Sequence, residues 1–408
     1  MGNISFIHAA DLHLDSPMVG LKYLPAEILA RVKESTFTAF KKVTAAAIER
    51  EVDFVIIAGD LFDGEDRSLR AQSRFRAEML KLEEKGIPVF IVHGNHDHLK
   101  GSWVHMEMPR NVHIFDTEVE CKTITAKTGE IVHLYGFSYG TRHVFDRKID
   151  DYQKVAGADF HIGILHGNER TRTDHDNYAP FSIRDLQEKE FDYWALGHIH
   201  KRAVLSESPP VVYPGNIQGR NKKETGRKGF YHVSLTNYGS EMDFIEASDI
   251  VWEEASIDVS AAVSFHEIYQ LCLQAINQFR RDGIGTLLSL TLNNVHLTDE
   301  LEAKSLDRDL LELLLEDEKD DQSFVWLVNL TILTGKQADR GQLKLEANFY
   351  SELFDIIDHY QVQDQDQALA PLYEHSLGRK YLTGLTEQEK RELVERAEKL
   401  LIDLLYHE

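Results

Sequence analysis

The chain has 408 residues, 42% hydrophobic, 28% charged and 10% aromatic, with a formal net charge of −23 at pH 7. That length predicts roughly two to three domains at about 150 residues each, and the composition excludes fibrous, low-complexity and disordered classes. Cys121 and Cys272 are too few for a disulfide framework or a thiolate metal site. The first residues lack the pattern of a signal peptide and the apolar runs are too short to span a bilayer, so a cytoplasmic protein with no membrane partner is expected.

Residues 3–10 read as a short apolar strand followed by a polar loop at 11–16. Helix-spaced Val32, Phe37, Phe40, Val43 and Ala47 predict a helix over 27–50. A strand at 54–58, a helix at 68–85 closed by Gly86 and a strand at 89–92 come next. Further strands are predicted at 131–137, 161–165, 193–196, 211–213 and 229–234. Apolar strands alternating with helices imply a sheet covered on both faces, where ligands gather beyond the strand C-termini. Around residue 250 the pattern changes to strand, helix, strand, helix, strand at 251–259, 265–279, 286–292, 300–315 and 324–333. The acidic stretch 316–321 reads as a solvated turn, and the chain from 349 onward as helix. The expected division is therefore 1–245, a small α+β domain at 250–340, and a helical segment at 345–408.

Five short segments, each following a strand, supply hard-metal ligands. They are Asp11-Leu12-His13, Gly59-Asp60-Leu61-Phe62-Asp63, Gly94-Asn95-His96-Asp97, His166 between Leu165 and Gly167, and Gly197-His198-Ile199-His200. Alternate residues of an extended segment face the same way, so Asp11 with His13, and His198 with His200, can each offer two ligands to one site. An Asp/His/Asn set without Cys suits Mn²⁺, Fe²⁺ or Zn²⁺. Seven ligands exceed what one catalytic ion needs and match two ions sharing a bridging carboxylate, an arrangement that activates water and clamps a phosphoryl ester. Any one of these histidines alone would more often be a core or loop residue. His8 and His161 lie within strands, while His93, His98, His105, His113, His133, His143, His175 and His232 belong to no motif.

The order DxH, GDxxD, GNHD, H, GHxH resembles the calcineurin-like metallophosphoesterases across about residues 4–235. Asp11-Leu12-His13-Leu14-Asp15, with Tyr213-Pro214-Gly215-Asn216 and Lys228-Gly229-Phe230, is similar to a narrower branch. That branch is the SbcD-type DNA-repair exonucleases and, within it, the YhaO-type proteins of Firmicutes. The resemblance implies a four-layer α/β/β/α sandwich with a small α+β capping domain and a helical C-terminal segment. It also implies that Asp11, His13 and His200 hold one metal, that Asn95, His166 and His198 hold the other, and that Asp60 bridges them. Mn²⁺ is the expected ion. His96 matches the family's catalytic histidine, with Asp97 as the partner that orients it. The expected activity is metal-dependent DNA hydrolysis, exonucleolytic with endonuclease action allowed, beside an SbcC-type coiled-coil ATPase; a homodimer is also allowed. The rival readings are a nucleotide or small-molecule phosphodiesterase or phosphatase on the same site, and a non-catalytic subunit, which a missing ligand or missing His96 would mark.

For DNA contact the sequence offers Arg220, Lys222, Lys223, Arg227 and Lys228, just beyond the last metal motif, with Arg67, Arg70, Arg74, Arg76, Arg170 and Arg172 elsewhere. The charge, taken whole, argues against a polyanionic partner. Divided, residues 1–250 carry a net of −6 and residues 251–408 a net of −17. Near the C-terminus Thr386 and Glu389 form a capping-box pattern. Leu393, Val394, Ala397, Leu400, Leu401, Leu404 and Leu405 then make an apolar stripe, for its own domain or for the ATPase partner.

Overall fold

The computed structural model describes residues 2–18, 20–64, 68–101, 104, 106–170, 178–295, 300–316, 318, 322–334, 343, 348–360 and 362–374, with 385, 386, 389–391, 393–395, 397, 398 and 401 beyond them. In chain order β1 (Asn3–Ala9) leads to α1 (Ala26–Glu49), β2 (Phe54–Ala58), α2 (Leu69–Glu84), β3 (Val89–Val92) and β4 (Val112–Ile114). Then come β5 (Glu120–Thr125), β6 (Ile131–Gly136), β7 (Phe160–His166), α3 (Ile183–Gln187), β8 (Tyr193–Gly197), β9 (Ala203–Glu207), β10 (Pro210–Tyr213), β11 (Gly229–Thr236) and β12 (Gly239–Glu246). The first sheet has the order β12-β11-β1-β2-β3-β4, and the second β5-β6-β7-β8-β10-β9. β1, β2, β3 and β4 are mutually parallel, as are β6, β7, β8 and β10.

Strand alternation builds the layers. Phe6, Phe54, Ile56 and Phe90 face inward and pack against Leu134, Ile162, Tyr193 and Val212 of the second sheet. Their neighbours Ile7, Val55, Ile57 and Ile91 face outward onto Phe37, Phe40 and Val43 of α1 and Phe75 and Met79 of α2. On the far side Leu165, Trp194 and Leu196 are covered by Leu186 of α3 and by Ile149 of the 3₁₀ turn Lys148–Asp151. This is the expected four-layer sandwich, with a thin outer layer on the second sheet. α2 starts where Ser68 Oγ accepts from Ala71 N–H at 2.9 Å, and stops before Gly86 at φ +68°.

The eight strands read from the sequence are the interior strands of the two sheets. The four that sequence reading missed, β4, β5, β9 and β12, are the four edges. None of them has a fully buried residue, so none shows the apolar run that marks an interior strand.

Beyond residue 250 lie β13 (Ile250–Asp258), α4 (Phe265–Gln278), β14 (Gly285–Val295), α5 (Glu300–Glu316) and β15 (Val325–Thr334), with sheet order β13-β14-β15. Ile250, Trp252, Leu287 and Phe324 share a core with Ile28 and Val32 of α1. Glu318, expected in a solvated turn, instead accepts from Arg280 at 2.7 and 2.9 Å and from Val325 N–H at 2.9 Å. The chain divides into two compact units, 1–292 with 297–332, and 293–296 with 333–408. The second unit contains α6 (Asn348–Asp358) and α7 (Val362–Glu374). In it Thr386 N–H donates to Glu389 Oε2 at 2.9 Å and Glu389 N–H to Thr386 Oγ1 at 3.3 Å, completing the capping box. Leu400, Leu404 and Leu405 of the apolar stripe lie outside the described residues. Among the described residues no helix is long and apolar enough to cross a membrane.

Candidate metal centre

The C-terminal ends of β1, β2 and β3 on one sheet, and of β7 and β8 on the other, bring the five motifs together. Four of the expected ligands sit in left-handed backbone: Asp11 at φ 51°, His13 at 40°, Asp60 at 49° and His198 at 98°. Such conformations cost on the order of 1–3 kcal/mol each and persist where the surroundings over-determine them. Two glycines make the close approach feasible. A Cβ on Gly94 would stand 2.3 Å from Asp60 Oδ1 and 2.5 Å from His166 Nε2. A Cβ on Gly197 would stand 1.7 Å from the Ala58 carbonyl oxygen, so only glycine lets β8 lie that near β2.

Three groups result among the described residues. Asp11, His13 and His200 offer ligand atoms to one point, Asp11, Asp60 and His166 to a second, and His13, Asp63 and His96 to a third at the mouth. Asn95 Oδ1 lies 3.1 Å from His166 Nε2, and His198 is tied in through its N–H, which donates to Asp11 Oδ1 at 3.0 Å. The His198 ring stands 5.2 Å from that of His166. All of these except His198 and His200 are buried, and those two are half-buried.

The hydrogen bonds around the rings show what the centre is built to hold. His13 Nδ1–H donates to Asp63 Oδ1 at 3.0 Å and His200 Nδ1–H to Glu224 Oε1 at 2.8 Å. Their Nε2 lone pairs therefore face each other, 3.1 Å apart. His166 Nδ1–H donates to Ala58 O at 3.0 Å, which turns Nε2 toward Asn95 Oδ1 and toward Asp60 Oδ2 at 3.5 Å. Acceptors converge on acceptors, an arrangement that a cation between them satisfies. Charge agrees with geometry. Burial and the Arg220 guanidinium drop the His13 pKa to about 3, leaving its imidazole neutral. Burial also works to lower His166, yet the Asp60 and Asp11 carboxylates push it up to about 9, a proton standing where metal charge belongs. The residues present fit a pair of divalent ions.

A second layer holds the first. Asp63 and Glu224, the carboxylates behind His13 and His200, both meet Arg220, whose NH1 donates to Asp63 Oδ1 at 2.7 Å and whose NH2 lies 3.5 Å from Glu224 Oε1. Asp63 was visible as the end of the GDxxD motif; Glu224 carried no signal in the sequence. His96 stands at the mouth, its side chain 35% exposed, with Nδ1 3.7 Å from Asp63 Oδ1 and its backbone N–H donating to Asp60 Oδ1 at 3.0 Å. Asp97, expected to orient His96, accepts from Leu61 N–H at 2.9 Å, Gly94 N–H at 2.9 Å and His93 Nδ1 at 2.8 Å. These bonds brace the loop that carries His96, and Asp63 also stands beside the His96 ring.

The basic residues separate into two kinds. Arg220 is spent inside the centre, and Lys228 is buried with Nζ donating to His200 O at 3.3 Å. Neither faces solvent as expected for DNA contact. Arg227 pairs with Glu246 at 3.2 Å, Arg70 with Asp15 at 2.7 Å and with Glu34, and Arg74 with Glu34. Arg76 donates to Glu107 O at 3.0 Å. Lys222, Lys223 and Arg170 are exposed, and Arg67 and Arg172 lie outside the described residues.

A buried Asp/His/Asn centre at the ends of parallel strands defines a metal-dependent phosphoesterase with a dinuclear site. Residues 4–202 match the calcineurin-like phosphoesterase family. Over 402 residues the chain is 40% identical to "Uncharacterized metallophosphoesterase YhaO" of Bacillus subtilis, covering 98% of this chain and 97% of that protein. It is 26% identical over 276 residues to the DNA double-strand break repair protein Mre11 of Thermoplasma acidophilum, covering 63% of this chain and 70% of that one. A solved dimetal phosphatase from Danio rerio matches at a TM-score of 0.35 and 11% identity, over 60% of this chain and 99% of that one. The chain belongs to the calcineurin-like metallophosphoesterases, and it is a hydrolase.

Proposed function

We propose that the chain hydrolyses DNA phosphodiesters in double-strand-break repair, as an exonuclease working in the cytoplasm with an SbcC-type coiled-coil ATPase. The observation that carries this reading is the extent of the likeness to Mre11, whose 276 aligned residues outrun the phosphoesterase match at 4–202. Exposed Lys222 and Lys223, beside the donor set, support it as phosphate contacts. Leu393 and Leu401, 42% and 41% exposed, leave apolar side chains near the C-terminus for the partner. Free Cys121 and Cys272 suit a reducing compartment.

In this reading Asp11, His13 and His200 would hold one ion and Asn95, His166 and His198 the other, with Asp60 shared, and Mn²⁺ would suit the donor set. Such ions supply Lewis acidity toward a phosphoryl oxygen and acidify water. The chain's own residues do the rest. Glycine at 94 and 197 keeps the floor of the site close, and Arg220 fixes the carboxylates behind two ligands. His96, with Nδ1 toward Asp63, presents Nε2 to the substrate and protonates the leaving oxygen.

The test is Mn²⁺-dependent digestion of end-labelled single- and double-stranded DNA beside bis-p-nitrophenyl phosphate. Wild type is expected to cleave all three, and His96→Ala to lose at least about 100-fold in turnover while two metals remain by elemental analysis. Loss of metal along with activity would show that His96 is a ligand. Cleavage of the small ester alone favours a small-molecule or nucleotide phosphodiesterase.

A further inference from the structure

Beside the donor set, three aromatic rings form a wall that hydrolysis does not require. His143 and Phe145 lie on an exposed loop, and Phe145 is 63% exposed. Their rings are nearly parallel, at 7° with centroids 5.8 Å apart. Tyr178 stands 5.6 Å from Phe145 at 25°, and 5.5 Å from His143 at 31°. A column of three rings would set its outer members about twice the neighbour spacing apart. These three are almost equidistant: Phe145 stacks across both His143 and Tyr178, which meet at their edges.

The wall is fixed in place. Tyr178 Oη and His143 Nδ1 are 2.8 Å apart, and Ala179 N–H donates to Val144 O at 2.7 Å. Val144 itself packs on the outer core of the second sheet. At its inner end the wall reaches the metal centre, for Tyr178 is 6% exposed and meets the His198 ring edge-on, 5.5 Å away at 81°. Rigid aromatic surface thus runs from solvent to a residue of the donor set. Arg142, also exposed, adjoins it in the chain.

A held, solvent-facing aromatic surface beside a catalytic centre is a place for a planar ligand group. The planar group that a nucleic-acid phosphodiester carries within one nucleotide of its scissile phosphate is a base. Every base has a π-face, so stacking on such a wall is tolerant of sequence. We propose that the exposed face of Phe145, backed by His143 and Tyr178, forms a stacking subsite for a nucleobase of the substrate next to the scissile phosphate. This rests on the reading that the substrate is a nucleic acid.

The experiment measures KM for an end-labelled oligonucleotide, intact or abasic at the nucleotide beside the scissile bond, with wild type, Phe145→Ala and Phe145→Trp. Wild type is expected to show a KM about 5- to 10-fold higher for the abasic strand. Phe145→Ala should raise the KM of the intact strand by a similar factor and erase the difference, and Phe145→Trp should keep it. Equal KM values for both strands in wild type, or an intact-strand KM unchanged by Phe145→Ala, overturn the subsite and leave DNA hydrolysis standing. If wild type cleaves no DNA, the nuclease reading fails and thymidine 5′-p-nitrophenyl phosphate decides. A KM raised by Phe145→Ala then keeps the subsite for a small nucleotide ester, and an unchanged KM overturns it.

Discussion

His13 and His200 are each held by a carboxylate, and one guanidinium joins those two carboxylates. Arg220 thereby fixes the directions of two ligand rings without touching the cation position itself. Outer partners of this kind typically set metal affinity by about 10- to 100-fold. Arg220→Gln is expected to weaken metal binding by that factor in competition with a chromophoric chelator, and Arg220→Lys to restore part of it through the retained charge. Unchanged affinity for Arg220→Gln would mean that Asp63 and Glu224 orient the rings unaided. The seven proposed donors were legible in the sequence because each follows a strand in a short motif. Arg220 was read as a DNA contact for a physical reason: spacing shows that a basic residue is near a motif, but not which way its side chain turns. That direction is decided by Asp63, 157 positions away in the chain. Lys228, buried against the backbone of His200, was misread for the same reason.

At the scale of elements, the two sheets meet through an apolar layer with a histidine in it. His8 of β1 is fully buried, its Nδ1 accepting from Tyr193 Oη at 3.0 Å and its Nε2–H donating to Leu196 O at 3.2 Å. Burial lowers its pKa from 6.5 to about 3. The unfolded chain takes up this proton below pH 6.5 and the folded chain does not. Stability from His8 is therefore complete above that pH and drains away toward pH 3, by about 2–3 kcal/mol at pH 4.5. Chemical denaturation at pH 7 and 4.5 should show a smaller loss in His8→Gln than in wild type; equal losses would assign the acid sensitivity elsewhere. Interior strands were readable because most of them are buried on both faces and so read as apolar runs. The edges β4, β5, β9 and β12 were not, since half-exposed strands carry polar residues that serve equally well in loops.

For the whole molecule the net charge of −23 is unevenly placed, with −17 beyond residue 250. Near the centre, buried acids face histidines or Arg220, while Lys222 and Lys223 stand outward. Surface charges more than about 8–10 Å apart are largely screened at physiological salt, so a local basic rim can hold a polyanion. Lys222→Glu with Lys223→Glu should weaken DNA binding and flatten the slope of log affinity against log salt by about 1–2. An unchanged slope would remove this loop from the DNA surface. The donor set itself is divided between the two sheets, Asp11, His13, Asp60 and Asn95 following strands of one and His166, His198 and His200 at strand ends of the other. No fragment of the chain shorter than about its first half contains a complete cradle, and neither sheet alone offers one. Metal capture is therefore a late event in the life of each molecule, following synthesis of the His200 segment and closure of the sandwich. A chelator present during folding should therefore leave less metal-loaded protein than the same chelator added afterwards.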